Sequence, residues 1–138
     1  MLYPLKDKKV QIFSPSEVVK VVRDLLATED EIDQDKEHFW AIHVDTRMVI
    51  KLVELVSLGT LNASLASPRE IFTRAVAIRS NALIIAHNHP SGDATPSHED
   101  VEITKKIKAA GQILDIPLLD HLVITKGNYF SFKEQGEL

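Results

Sequence analysis

The chain has 138 residues, 16 Lys and Arg against 20 Asp and Glu, and a formal net charge of -4. That length fits one domain with one core, and the acidic balance argues against a broad nucleic-acid surface, which needs clustered Lys and Arg to neutralise phosphates. With no cysteine present, disulfides, thiol nucleophiles and thiolate metal sites are excluded, so any bound metal must use His and carboxylate.

The N-terminal "MLYPLKDKKVQIF" lacks the long apolar core of a leader, and no later apolar run approaches the ~20 residues that span a bilayer. A cytoplasmic protein with no membrane segment is expected. "SPSE" at 14–17 opens a first helix: the hydroxyl caps exposed amides, Pro needs no donor at the first helical position, and Glu completes a capping box. Val18, Val22, Leu25 and Leu26 then recur at helical spacing over about 15–27. The acidic run "EDEIDQDKE" at 29–37 reads as solvated surface. "HFWAIHV" at 38–44 and "MVIKLVELVSL" at 48–58 are predicted strands, joined across "DTR" as a hairpin.

"SPRE" at 67–70 repeats the cap and predicts a second helix over about 68–80, with Ile71, Phe72, Ala75 and Val76 on its apolar face. "ALIIAH" at 82–87 is apolar on both faces, as a central covered strand should be. "TPSH" at 95–98 predicts a third helix capped by Thr95, carrying Ile103, Ile107 and Ala110, with Gly111 placed to end it. Its "KKIKAAG" is the one dense basic cluster and reads as solvated. "LLDHLVIT" at 118–125 and "YFSF" at 129–132 form a last hairpin across "KGN".

This order predicts an α/β (α+β) domain: a mixed central sheet with helices on both faces and a crossover unit from 82 to 125. A single domain over residues 1–138 is expected, with 1–34 as an N-terminal helical lead-in.

The chemistry concentrates in "AHNHPSGDATPSHED", residues 86–100. Side chains two apart on a strand point the same way with alpha carbons about 6.8 Å apart, so His87 and His89 can converge on one ion. The turn residues of "PSGDATP" return the chain to the third helix, whose first turns offer Ser97 and Asp100 together. Two neutral imidazoles and a carboxylate make a three-ligand zinc set that leaves a fourth position for water, the pattern of a catalytic site. Singly, each residue has a plainer use: Ser97 with Asp100 is a capping box, Asp100 suits a positive helix end, and His89 is polar loop. The combination is what points to a metal.

With "HNHPSG" and "PSHED" preceded by "GTLNASLASPREIF" and followed by "LLDHLVIT" and "YFSF", residues 35–133 resemble the RadC family of bacterial proteins, a branch of the JAMM (MPN) metalloprotease-like domains. The resemblance implies a three-layer, cytidine-deaminase-like fold. The family's motif of His-x-His, ten residues, Asp falls on His87, His89 and Asp100, and the motif's Ser on Ser97. The implied activity is zinc-dependent hydrolysis of a peptide-like bond, amide or isopeptide, in a peptide or protein. A Glu at the start of an early strand takes a proton from the zinc-activated water and passes it to the leaving amine, while Ser97 hydrogen-bonds the oxyanion.

Glu37, in "KEHFWAIHV", matches that Glu by position. Glu54 is the other candidate base, although strand alternation turns it to solvent opposite Val53 and Leu55. Asp120 and His121 either orient a ligand from behind or satisfy local hydrogen bonds. Structural roles are expected for His38, His43 and His98, core positions for Phe39 and Trp40, and solvated or cap-pairing roles for Arg69 and Arg74. Longer family members carry a helix-hairpin-helix segment ahead of this domain, where about 35 residues stand here. Two readings of other classes remain as alternatives: a non-catalytic, DNA-repair-associated module binding nucleic acid or protein, and a metal-dependent nuclease. A zinc deaminase is excluded by its missing Cys ligands, and a metallo-beta-lactamase-like site by the lack of a second His closely following an Asp.

Overall fold

The computed structural model describes residues 2–3, 9–59 and 66–138. Residues 60–65, part of the "GTLNASLASPREIF" segment, lie outside them. The chain runs through β1 (Leu2–Tyr3), α1 (Pro15–Ala27), α2 (Glu31–Gln34), β2 (His38–Val44), β3 (Ile50–Leu58), α3 (Pro68–Ala77), β4 (Ala82–Asn88), α4 (His98–Leu114), β5 (Leu118–Ile124) and β6 (Tyr129–Ser131). The strands form one sheet in the order β1-β3-β2-β4-β5-β6. Every pair is antiparallel except β4 and β5, which run parallel because α4 carries the chain across between them.

Period-two alternation along the central strands divides the core into two layers. Trp40, Ile42 and Val44 of β2, with Ala82, Ile84 and Ala86 of β4, pack under Val18, Val19 and Val22 of α1. Phe39 and Ala41, with Leu83 and Ile85, face the other way onto Ile71, Phe72 and Ala75 of α3 and Ile103 and Ile107 of α4. Full burial of one such side chain stabilises by about 1.5–3 kcal/mol, so the helices are held by these layers more than by their caps. The result is the expected mixed sheet with helices on both faces, three layers deep. The first helix packs in one of those layers through Val18, Val19 and Val22.

Several local expectations are corrected. The third helix is capped by Ser97, not Thr95, because an acid three residues on is what closes a capping box, and Asp100 stands there relative to Ser97. It also runs past Gly111 to Leu114 and ends on Asp115, which adopts the left-handed conformation at φ 57°. The acidic run is solvated as expected, with no buried residue, and it also folds locally: Asp30 accepts a hydrogen bond from the Asp33 amide at 2.8 Å and caps the one-turn α2. Glu54 is half-buried, not solvated, because α3 covers its face of β3. Among the described residues, no helix is long and apolar enough to cross a membrane.

Candidate metal centre

β4 delivers the two histidines. His87 is buried at the end of the strand, on the face covered by α4, and His89 leaves the strand with its backbone amide held by the Ile124 carbonyl at 2.9 Å. The turn through Gly92, at φ 91°, then brings the chain back over the strand end. α4 supplies the acid: the Ser97 amide donates to Asp100 Oδ2 at 2.7 Å, and Ser97 Oγ accepts from the Asp100 amide at 3.0 Å. The capping box thus serves a second purpose, since it aims a buried carboxylate at the strand end.

The three donors meet. His87 Nε2 lies 2.9 Å from His89 Nε2 and 3.2 Å from Asp100 Oδ1, and His89 Nε2 lies 3.3 Å from Asp100 Oδ2. One ligand atom from each residue falls within 4.8 Å of the others. His89 Nδ1 is 2.9 Å from the Asp93 carbonyl, which only accepts, so the ring donates there and its Nε2 is a bare acceptor in the neutral form. Two facing imidazole nitrogens beside a carboxylate repel one another unless a proton or a cation lies among them. Without a cation, hydrogen bonding to Asp100 comes first among the causes that push the His89 pKa up, and the charges of Asp100 and Glu37 add to it. Burial acts to raise the Asp100 carboxyl, but when the rings are protonated and no cation is bound, hydrogen bonds from His87 and His89 outweigh it and hold the group well below the usual carboxylate range. The donor set therefore fits a divalent cation that takes imidazole and carboxylate together.

Glu37 is half-buried at the residue before β2. Phe39 pairs with His87, so continuing that antiparallel run carries Glu37 toward His89. Glu54 goes elsewhere: its Oε1 lies 3.6 Å from His43 Nε2 and its Oε2 lies 3.9 Å from Arg74 Nε. Arg74 is thus partly solvated, as expected, and turns its Nε toward Glu54. Ser97 is exposed, with its hydroxyl oxygen engaged as the cap and its hydroxyl proton left to donate.

The flanking residues divide. Asp120 serves locally, with Ser131 Oγ donating to Oδ2 and the amides of His121 and Lys133 donating to Oδ1. His121 instead reaches the site, its Nε2 2.8 Å from His87 Nδ1 and its Nδ1 2.6 Å from Thr104 Oγ1. Burial pushes the His121 pKa well below its ordinary value. His38 is structural, bonded to the Lys36 carbonyl and Glu29 and stacked on Trp40, and His98 is exposed. Sequence reading missed Thr104 and Asn88. Thr104 follows Asp100 by four residues, a helical spacing that places both on one face. Asn88 offered no such signal, because its partners, Lys36 and His38, lie on β2 and the residues before it. Beside the donors, His89 and Pro90 help line a cleft of about 440 Å³ with Leu26, Ala27 and Ile124 on its apolar wall.

A family model described as the RadC-like JAB domain matches residues 12–137. The chain belongs to this family. The RadC match begins before α1, consistent with that helix being a layer of the core. Relatives named UPF0758 protein include one from Pelodictyon phaeoclathratiforme, 48% identical over 106 residues, covering 77% of this chain and 48% of the relative. Another, from Staphylococcus haemolyticus, is 39% identical over 130 residues, covering 94% of this chain and 55% of the relative. A third, from Methanosarcina mazei, is 39% identical over 132 residues, covering 96% and 56%. The chain spans about half the length of these curated relatives.

Proposed function

We propose that His87, His89 and Asp100 hold one zinc ion and that the chain hydrolyses an amide or isopeptide bond in a peptide or protein of the cytoplasm. The observation that carries this reading is the convergence of two imidazole nitrogens and a carboxylate, all acceptors, at the end of β4. Zinc in such a site supplies Lewis acidity and brings the ionisation of water close to neutral pH.

The protein's own residues divide the remaining work. Glu37, on the His89 side of the site, takes the proton of the attacking water and returns it to the leaving amine. It is preferred to Glu54, whose carboxylate is committed to the His43 and Arg74 group. Ser97 donates its free hydroxyl proton to the carbonyl oxygen as charge gathers there. The cleft beside His89 gives an apolar substrate side chain room next to the reacting bond.

Metal analysis of untagged protein dialysed without chelator tests the reading. Wild type is expected to hold about one zinc per chain, the stoichiometry of a single three-ligand site, and His89→Ala and Asp100→Ala to lose it. Glu37→Gln is expected to keep the zinc and to lose amide hydrolysis by about 10²–10⁴-fold. Wild type that takes up no zinc when the ion is supplied would sink the hydrolase reading and leave the non-catalytic binding module in its place.

A further inference from the structure

His121 lies on β5, where its neighbour across the parallel pairing is Ile85, two residues before His87. The ring is fully buried, stacked on Phe132 at 4.8 Å between centroids and edge-on to Phe39 at 6.1 Å. This apolar setting keeps the imidazole neutral, with a single N–H to give.

Which nitrogen carries that proton follows from Thr104. Its Oγ1 lies 2.7 Å from the Asp100 carbonyl oxygen one turn earlier in α4, and a carbonyl cannot donate, so the hydroxyl proton goes to Asp100. The hydroxyl oxygen must then accept from His121 Nδ1, 2.6 Å away. That leaves His121 Nε2 as an acceptor, and the group 2.8 Å from it is His87 Nδ1, which therefore donates. The last consequence falls on the site: in the neutral ring, His87 Nε2 is a bare lone pair facing Asp100 Oδ1 and His89 Nε2.

We propose that Thr104 and His121 are positioning residues that fix the ring proton of His87 on Nδ1, so that Nε2 is presented to the metal. The inference rests on the reading of His87, His89 and Asp100 as a zinc site. His89 has its own device, the Asp93 carbonyl, so the two histidines reach the same tautomer by separate routes. The buried chain also ties the ligands to each other across elements, because the hydroxyl that orients His87 of β4 through β5 is bonded to the backbone of Asp100 in α4.

Replacing Thr104 by Val removes the hydroxyl bonded to His121 Nδ1. The His121 proton then moves to Nε2, where His87 Nδ1 accepts it, and the His87 proton shifts to the nitrogen that the metal needs. Long-range proton-nitrogen spectra of the metal-free protein, recorded above the imidazole titration range, read these tautomers directly. Wild type and Thr104→Ser are expected to show His87 protonated on Nδ1, and Thr104→Val on Nε2. Zinc titrations against a chromogenic chelator are expected to show Thr104→Val binding about 10–100-fold more weakly and Thr104→Ser binding close to wild type.

A folded Thr104→Val with the wild-type tautomer and affinity would overturn the proposal. So would His87 protonated on Nε2 in wild type, a result that needs no variant to fold. Wild type that shows the expected tautomers but takes up no zinc would instead overturn the metal reading on which the proposal depends, so the two failures are told apart.

Discussion

Asn88, the residue between the two histidines, does its work sideways. Its Oδ1 accepts from the His38 amide, and its Nδ2 donates to the Lys36 carbonyl at 3.0 Å. Those two backbone groups stand on either side of Glu37, so one amide side chain on β4 fixes the segment that carries the proposed base. We expect Asn88→Ala to lower stability by about 1–3 kcal/mol, the cost of leaving buried partners unsatisfied, while zinc content stays at the wild-type level. Urea unfolding and metal analysis of the same preparation check this, and zinc lost together with stability would show that Asn88 holds the histidines instead. The sequence made the local part of the site legible: two His at strand spacing and an acid in a helix's first turn are patterns of near neighbours. His121 and Thr104 escaped a firm assignment because their contacts depend on β5 lying beside β4, with His87 and His121 34 positions apart in sequence. Glu54 was misread for a related reason, since alternation assigns a side chain to a face without saying which helix covers it.

The elements were legible wherever a cap or a periodic face marked them, and their ends were less so. Gly111 is the clearest case. Glycine late in a helical pattern signals termination, yet α4 continues through it, because the chain beyond Asp115 turns back and lays the Ile116 carbonyl where a Cβ on residue 111 would stand. The same approach gives the Ile116 amide its bond to the Gly111 carbonyl at 2.9 Å. In an open helix interior Gly→Ala gains up to about 1 kcal/mol. Here Gly111→Ala should instead destabilise by roughly 1–3 kcal/mol, since backbone has to move to admit the methyl group. Thermal unfolding decides it, and a raised melting temperature would mean that the α4–β5 turn yields more easily than its packing indicates. Because that turn also sets where β5 enters the sheet, the glycine helps determine where His121 arrives.

At the scale of the whole molecule, β2 and β4 are buried on both faces, so a polar side chain on either strand must be matched by whatever packs over it. At the candidate metal site the matching partners are polar: His87 meets His121, and Asp100 meets the Ser97 amide. His43, further along β2, has no such match. It is fully buried, and among the described residues both ring nitrogens lack hydrogen-bond partners and the charged or titratable groups around it are Glu54, Arg74 and Lys51. Burial, then the charges of Arg74 and Lys51, lowers its pKa to about 4. From pH about 6.5, where an unfolded His titrates, down to about 4, the unfolded chain therefore binds a proton that the folded protein refuses. Stability conferred by a neutral His43 is present above that window and is lost as pH falls through it, by on the order of 3 kcal/mol. Burial raises the pKa of Glu54, which acts in the opposite sense: its contribution is present at low pH and fades as pH rises, so it offsets part of the acid loss. Urea unfolding followed across this range should show wild type weakening on acidification and His43→Leu weakening less steeply, with Glu54 still in place. Equal slopes for the two proteins would assign the acid sensitivity to the carboxylates and clear His43 of it.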